Sequence, residues 1–575
     1  MRSHAILHAA AVVLISSQVS SEEPTEAKIK WIKEQAIPFK TVEADNGFVD
    51  LLPLKELIGD ARIVSLGEST HGSREIFQMK HRLVEFLATE MGFTVFSIEA
   101  SMPESYRVND YVLRGTGDPK QLIAGMYFWT WNTEEVFEMV EWMRRFNREK
   151  AGRIEFAGFD MQEPRVAMQN VIDFLEQEDA DLYATAKQAY AKAQRATISD
   201  GSEFGVATGT FPIDAARGKH VTFSGWLKTE NVRDGFAGLW WRADGKDGKV
   251  LGFDNMAKKG PRGTRDWARY SIELDVSAET TNINFGVILP GKGRAWFDGL
   301  EVTLDGEDYE NAALFDFDFE SNEVRGITLM PRRTYRTRLD KEIAKTGKQS
   351  LRMESVELPA NAVPVAGGLK LAQQVLAALE QASDDLSKNV DKKELEWILQ
   401  NARVVRQGME MRDGQGGMVR DRCMAENVAW ILETHPQAKI VLWAHNGHVA
   451  KRNFAMGNHL DKMFGEQHLA IAFATASGKY RAIKRGTGLT ENDLQSPPAG
   501  SVEDICRRSG IPRFILDLRD VEEGTEASGW LATPTPFRSI GALAMENQFF
   551  PQNLHQTYDA LIYIEETHPA RPLRR

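Results

Sequence analysis

The 575-residue chain has almost no cysteine: Cys423 and Cys506 are its whole complement. Two thiols exclude a disulfide scaffold and a cysteine-based zinc ribbon, and whether these two pair is not legible from spacing. The chain also lacks a surplus of positive charge. Seventy Lys and Arg face 82 Asp and Glu, a formal net charge of −12, which argues against nucleic acid as a partner, since that needs a basic face. No internal apolar run reaches the roughly 18 to 20 residues of a membrane span. Hydrophobic residues make up 42% and aromatics 9%, too much for disorder and enough for a packed core. At roughly 150 residues per domain, the length allows two to four domains.

What is there starts with a leader-like segment. Residues 1–21 open with Arg2, continue through an apolar stretch from Ala5 to Ile15 broken by His8, and reach small residues at Val19-Ser20-Ser21. That order reads as a signal peptide, so the expected location is exported, periplasmic or extracellular; the competing reading is an attached N-terminal helix.

Three zones follow. Over 26–197, apolar runs alternate with helical patterns: Ala61–Gly67, a helix over Glu75–Met91 stopped by Gly92, Phe93–Glu99, a helix over Thr133–Lys150, and Ile154–Asp160. Strands separated by helices imply a mostly parallel sheet with helices on its faces. Over 200–357 the period changes to two, as in Val221–Leu227 and Ile283–Leu289, with Gly-rich turns between, and predicts an all-β sandwich. Its Trp226, Trp240, Trp241, Trp267 and Trp296 offer a sugar platform or, more often for any one Trp, core filling. Over 365–575 the helical pattern returns with strands at Lys439–Ala444, Ala470–Ala474 and Ala560–Ile564. The fold class is therefore α/β, with a mostly parallel sheet flanked by helices and interrupted by an inserted, jelly-roll-like sandwich.

Ligands of open α/β sheets bind beyond the carboxyl ends of the strands. Four such ends carry polar residues: Glu68-Ser69-Thr70-His71, Glu99, Asp160, and His445-Asn446-Gly447-His448. Each has a plain structural reading: Glu68 as a helix cap, His71 as a polar residue of the first turn, Glu99 paired with Arg82 or Arg107, His445 and His448 as core histidines, Asp160 as a turn former. Together they fit either a divalent-metal site or metal-free catalysis, in which a neutral His removes a proton from water and a carboxylate fixes its tautomer. No Gly-x-Ser-x-Gly elbow is present, which argues against that kind of serine nucleophile. Cys423, on an expected helix, is a poor nucleophile candidate.

The segments Gly67–Glu75, Glu90–Phe93 leading to Glu99-Ala100, Tyr106–Asn109, Phe159–Gln162, Arg420–Ala425, Trp443–His448 and Tyr558–Ile562 resemble the erythromycin esterase family, in order, across both α/β zones. The resemblance implies hydrolysis of a small-molecule ester or lactone, a macrolide in the founding members and hence a link to antibiotic resistance, with no cofactor and no required metal. It implies that His71 is the general base, with Glu68, Glu99, His445 and His448 completing the catalytic cluster. Arg74, Asp160 and Lys80 are the expected substrate contacts, Lys80 standing where the family pattern often has Arg. The insertion departs from simple family members. Trp296–Leu300 resembles the closing strand of carbohydrate-binding-type jelly rolls, while Phe317–Glu320 and Gly347–Arg352 resemble opening strands that here follow it. That order implies a circular permutation or a second partial copy, and a glycan contact through the sandwich. The two rivals to a metal-free hydrolase are a metal-dependent one using the same cluster and a non-catalytic glycan-binding protein.

Overall fold

A computed structural model describes residues 25–573, apart from 150–151, 199–203, 246–248, 310–314, 322–323, 330–333, 357–362, 413–415 and 485–486. The expected signal peptide lies outside the described residues. The chain divides into two compact units: one takes the segments up to Gln188 and from Ala372 onward, the other Ala189–Leu371.

The first unit is built on a nine-stranded sheet. In chain order its strands are β1 (Ile37–Pro38), β2 (Ile63–Leu66), β3 (Val95–Ser101), β4 (Glu155–Asp160), β5 (Ile440–Trp443), β6 (His468–Lys484), β7 (Gly488–Asp493), β8 (Arg513–Asp517) and β9 (Ala560–Thr567). Their spatial order is β1-β8-β9-β6-β2-β5-β3-β4, with β7 pairing β6. From β9 to β4 the neighbours run parallel. The β8 and β1 edge and the β7 pairing are antiparallel. β5 sits between β2 and β3, with Ile440 level with both Ile63 and Val95 and Trp443 level with Leu66 and Ile98. This register matters for the site. The carboxyl ends of β2 and β3 flank the turn that follows β5, although β5 lies more than 300 residues further along the chain.

Helix α1 (Arg74–Met91) explains how the strands are covered. Its Phe77, Leu83, Val84, Phe86 and Leu87 recur at helical spacing and join one buried cluster with Val441, Trp443, Leu469 and Phe473 of the strands. It ends at Gly92, whose φ of 70° lets its N–H return to the Leu87 carbonyl. Helices α2 (Met102–Arg114), α3 (Glu134–Arg148), α4 (Gly416–Thr434), α5 (Asn446–Val449) and α6 (Met456–Phe464) complete the surroundings of the site. No helix among the described residues is long and apolar enough to cross a membrane.

The second unit holds two antiparallel sheets, of six and five strands. They contribute to one core: Phe223, Leu227, Phe297 and Leu351 from the larger, Leu239, Trp241, Phe285 and Val287 from the smaller. Trp241 and Trp296 are fully buried, as core filling requires, whereas Trp226, Trp240 and Trp267 are partly exposed. The late strands Tyr335–Asp340 and Ser350–Ser355 pair with each other, and the second adds to the edge of Lys292–Leu304 with Trp296 opposite Arg352. They extend the sheet that already holds Trp296, so the described strands form no second copy.

Candidate active site

The sheet brings the predicted histidines together. The His71 and His445 ring centroids lie 5.1 Å apart and those of His445 and His448 6.5 Å apart. The close fit begins at Gly67: a Cβ there would stand 2.2 Å from Asn446 Oδ1. Asn446 in turn donates to the Phe473 carbonyl at 2.8 Å, accepts its N–H at 3.1 Å, and sends its own N–H to the Glu68 carbonyl at 2.9 Å. The turn bearing two histidines is thereby tied to the strand end bearing Glu68.

Glu68 is fully buried and accepts three hydrogen bonds. Its Oε1 is 2.7 Å from His71 Nδ1; its Oε2 takes Lys80 Nζ and Trp443 Nε1, each at 2.7 Å. The carboxylate holds the His71 proton on Nδ1 and leaves the Nε2 lone pair open. Among the described residues Nε2 has no hydrogen-bond partner, and the side chain keeps 11% of its surface exposed.

The other two rings are committed. His445 Nδ1 accepts the Gly447 N–H at 3.0 Å, and Nε2 lies 3.1 Å from the Ile540 carbonyl, so its proton is on Nε2. Burial, with the neighbouring His71 and His448, pushes its pKa down to about 3, so it stays neutral. His448 Nδ1 is 2.8 Å from Asp421 Oδ1, and its Nε2 is 3.0 Å from Arg420 Nη1 and 3.4 Å from Glu99. Burial opposes a charge on His448, but Asp421 and Glu99 outweigh it and raise its pKa.

Glu99 pairs with Arg420 at 2.6 Å rather than with Arg82 or Arg107; Arg82 instead holds Asp50. Burial would raise the Glu99 pKa, yet His448, Arg420 and His71 hold the carboxyl far below the usual range. Its Oε2 also takes the His445 N–H at 3.1 Å. Arg420 continues to Asp160 at 2.8 Å.

The substrate contacts expected of Lys80 and Asp160 do not fit this placement, because neither has exposed surface. Lys80 lies behind Glu68, with its amine also 3.2 Å from the Ala444 carbonyl and over the Trp443 ring at 4.6 Å. Burial lowers its pKa to about 8 despite the Glu68 charge. Asp160 anchors Arg420, and its Oδ1 accepts the Met161 N–H. Arg74 turns to the C-terminal segment, donating to the Pro569 carbonyl at 3.3 Å. Cys423 and Cys506 are both free and buried, and burial pushes the Cys423 thiol up to about 12. Arg420, Asp421, Trp443 and Asn446 are the members that residue-by-residue reading missed; all four stand in segments singled out for the resemblance.

The erythromycin esterase family model matches residues 88–223 and 332–567. The chain belongs to the erythromycin esterase family. The match takes in Glu99, Asp160, Arg420, His445 and His448 and begins after Glu68 and His71. Over 557 residues the chain is 21% identical to the putative hydrolase YbfO of Bacillus subtilis strain 168, across 94% of this chain and 91% of that one. Over 133 residues it is 32% identical to erythromycin esterase type II of Escherichia coli, a stretch that spans 23% of this chain and only 31% of the esterase. An erythromycin esterase mutant solved in its open conformation shares the fold, with a TM-score of 0.52 at 13% identity over 92% of this chain and 96% of its own. The family to which this member belongs marks it as hydrolase-like.

Proposed function

We propose that the chain hydrolyses an ester or lactone with a water activated by His71. The observation that carries this reading is that His71 alone of the three clustered histidines has an open nitrogen, and a buried carboxylate orients it. In the reaction, His71 Nε2 takes a proton from water as the oxygen bonds to the acyl carbon. The tetrahedral intermediate then collapses, the C–O bond to the leaving alkoxide breaks, and His71 returns the proton to that oxygen. Arg420 and His448 supply positive field beside the reacting centre.

The arrangement favours the metal-free reading over its rival. A three-ligand metal needs several open donors, yet both nitrogens of His445 and of His448 are already engaged. Among the described residues no three His, Cys, Asp or Glu converge as a metal site. A panel of aryl esters, alkyl esters and macrolactones tests the function. His71→Asn should lose about 10²- to 10⁴-fold in kcat on the best substrate; undiminished turnover sinks the assignment. Activity lost on chelation and restored by zinc favours the metal-dependent rival.

The two-sheet unit reads as an inserted jelly-roll-like domain over 200–357, within a split α/β domain over 26–197 and 365–575. A glycan contact would form at Trp226 and Trp267, which are partly exposed, rather than at the buried Trp241 and Trp296. Export of the chain rests on the leader-like segment.

A further inference from the structure

The side of α1 turned away from Lys80 carries a second polar site. His81, the next residue, lines a cavity of about 490 Å³ together with Glu43, Asp45, Glu138, Glu141 and Trp142. Two cations, Arg145 and Arg571, share this lining, and both are taken. Arg145 donates to the two oxygens of Asp45 at 3.0 and 2.9 Å, and Arg571 to Glu138 at 3.0 Å and to Glu135. Glu141 accepts only the neutral Tyr111 hydroxyl, and Glu43 is exposed. Among the described residues, neither of these two carboxylates has a cationic partner.

A different kind of observation points to a ligand. His81 and Glu85, one helical turn apart, are 6% and 2% exposed. His81 Nε2 and Glu85 Oε1 face each other at 3.4 Å, yet neither makes a hydrogen bond. Buried polar atoms are rarely left so, and a donor in the cavity would serve both. The Trp142 ring stands 6.1 Å from that of His81 and forms an apolar wall. Phe137 already carries Lys120 over its ring at 5.8 Å, so Trp142 is the aromatic surface left for a ligand. The cavity is far larger than a bare metal ion. An ammonium group on an alkyl body matches it: N–H donors for the carboxylates and the imidazole, carbon for the indole.

We propose that this cavity binds an organic ammonium ion of the linear polyamine class. Calorimetric titration of the full chain with spermidine at low ionic strength is the test. The expected result is one saturable site per chain, weakened by about tenfold or more in Glu43→Gln/Glu141→Gln, since charge-assisted hydrogen bonds are the strong ones. The chain is acidic overall and attracts polycations diffusely. An equal-charge control therefore removes two exposed glutamates elsewhere, Glu523→Gln/Glu526→Gln, and should keep wild-type affinity. His81→Gln keeps every charge of the site and is expected to weaken binding several-fold. No saturable binding, an equal loss in the control, or wild-type affinity in His81→Gln overturns the proposal.

Discussion

The site contains two carboxylate–histidine pairs of nearly identical geometry. Glu68 meets His71 Nδ1 at 2.7 Å and Asp421 meets His448 Nδ1 at 2.8 Å. They part company at the second nitrogen. His71 Nε2 faces no protein group among the described residues, while His448 Nε2 is held between Arg420 and Glu99. A carboxylate on Nδ1 orients an imidazole in either case. What faces Nε2 decides whether the ring takes a proton from a reactant or holds charge in a network.

The largest effect that sharpens this contrast is expected at Glu68. Glu68→Gln keeps the shape but removes the charge that fixes the His71 tautomer and balances the buried Lys80 amine. It should lower kcat by about 10²- to 10³-fold with KM little changed. A loss below about threefold breaks the idea that the first pair does the chemistry. Asp421→Asn should cost less, on the order of tenfold, because His448 acts through field and position. Kinetics of the two variants side by side check the asymmetry, and equal losses would abolish it.

A smaller effect separates charged from neutral histidines in the stability of the fold. Burial above all holds both His445 and His468 at about 3, against an ordinary value of 6.5. Between those values the unfolded chain binds protons that the folded chain refuses. Stability therefore falls as pH drops through that window, by up to about 1.4 kcal/mol per pH unit for each ring. His448, raised rather than lowered, contributes with the opposite sign and only above 6.5. Urea unfolding of His445→Asn should show about half the wild-type slope between pH 6.5 and the carboxylate range. An unchanged slope there would mean that His445 titrates normally in the folded state.

The parallel strands were legible because each is a short apolar run ending in a polar residue, and the helices because Gly92 and the 3.6-residue pattern mark them. The antiparallel edge was not. Ile37–Pro38 is two residues long, and Arg513–Asp517 carries no alternation to betray its partner. His71, Glu68, Glu99, His445 and His448 could be placed together because strand ends in a parallel sheet share an edge. Lys80 was misplaced for a reason of the same kind. Its position on α1 was known, but not that the helix turns this residue toward Trp443, where an amine is stable only against Glu68. Arg420 and Asp421 sit on a helix, so no strand-end argument reaches them, and only the three-dimensional path through Glu99 and Asp160 shows what they hold.

Gly67 carries a consequence for how this sequence can change over time. Its backbone is not left-handed, so the demand for glycine there is one of space alone: a methyl group would press on Asn446 Oδ1, the Ile471 carbonyl and Val449 Cγ2. The Asn446 amide cannot yield cheaply, since both of its ends are fastened to Phe473. The two positions are therefore locked as a pair. Any drift at residue 67 must wait until the amide at 446 has been surrendered, and with it the tether of both histidines on that turn, so neither residue has an independent evolutionary path.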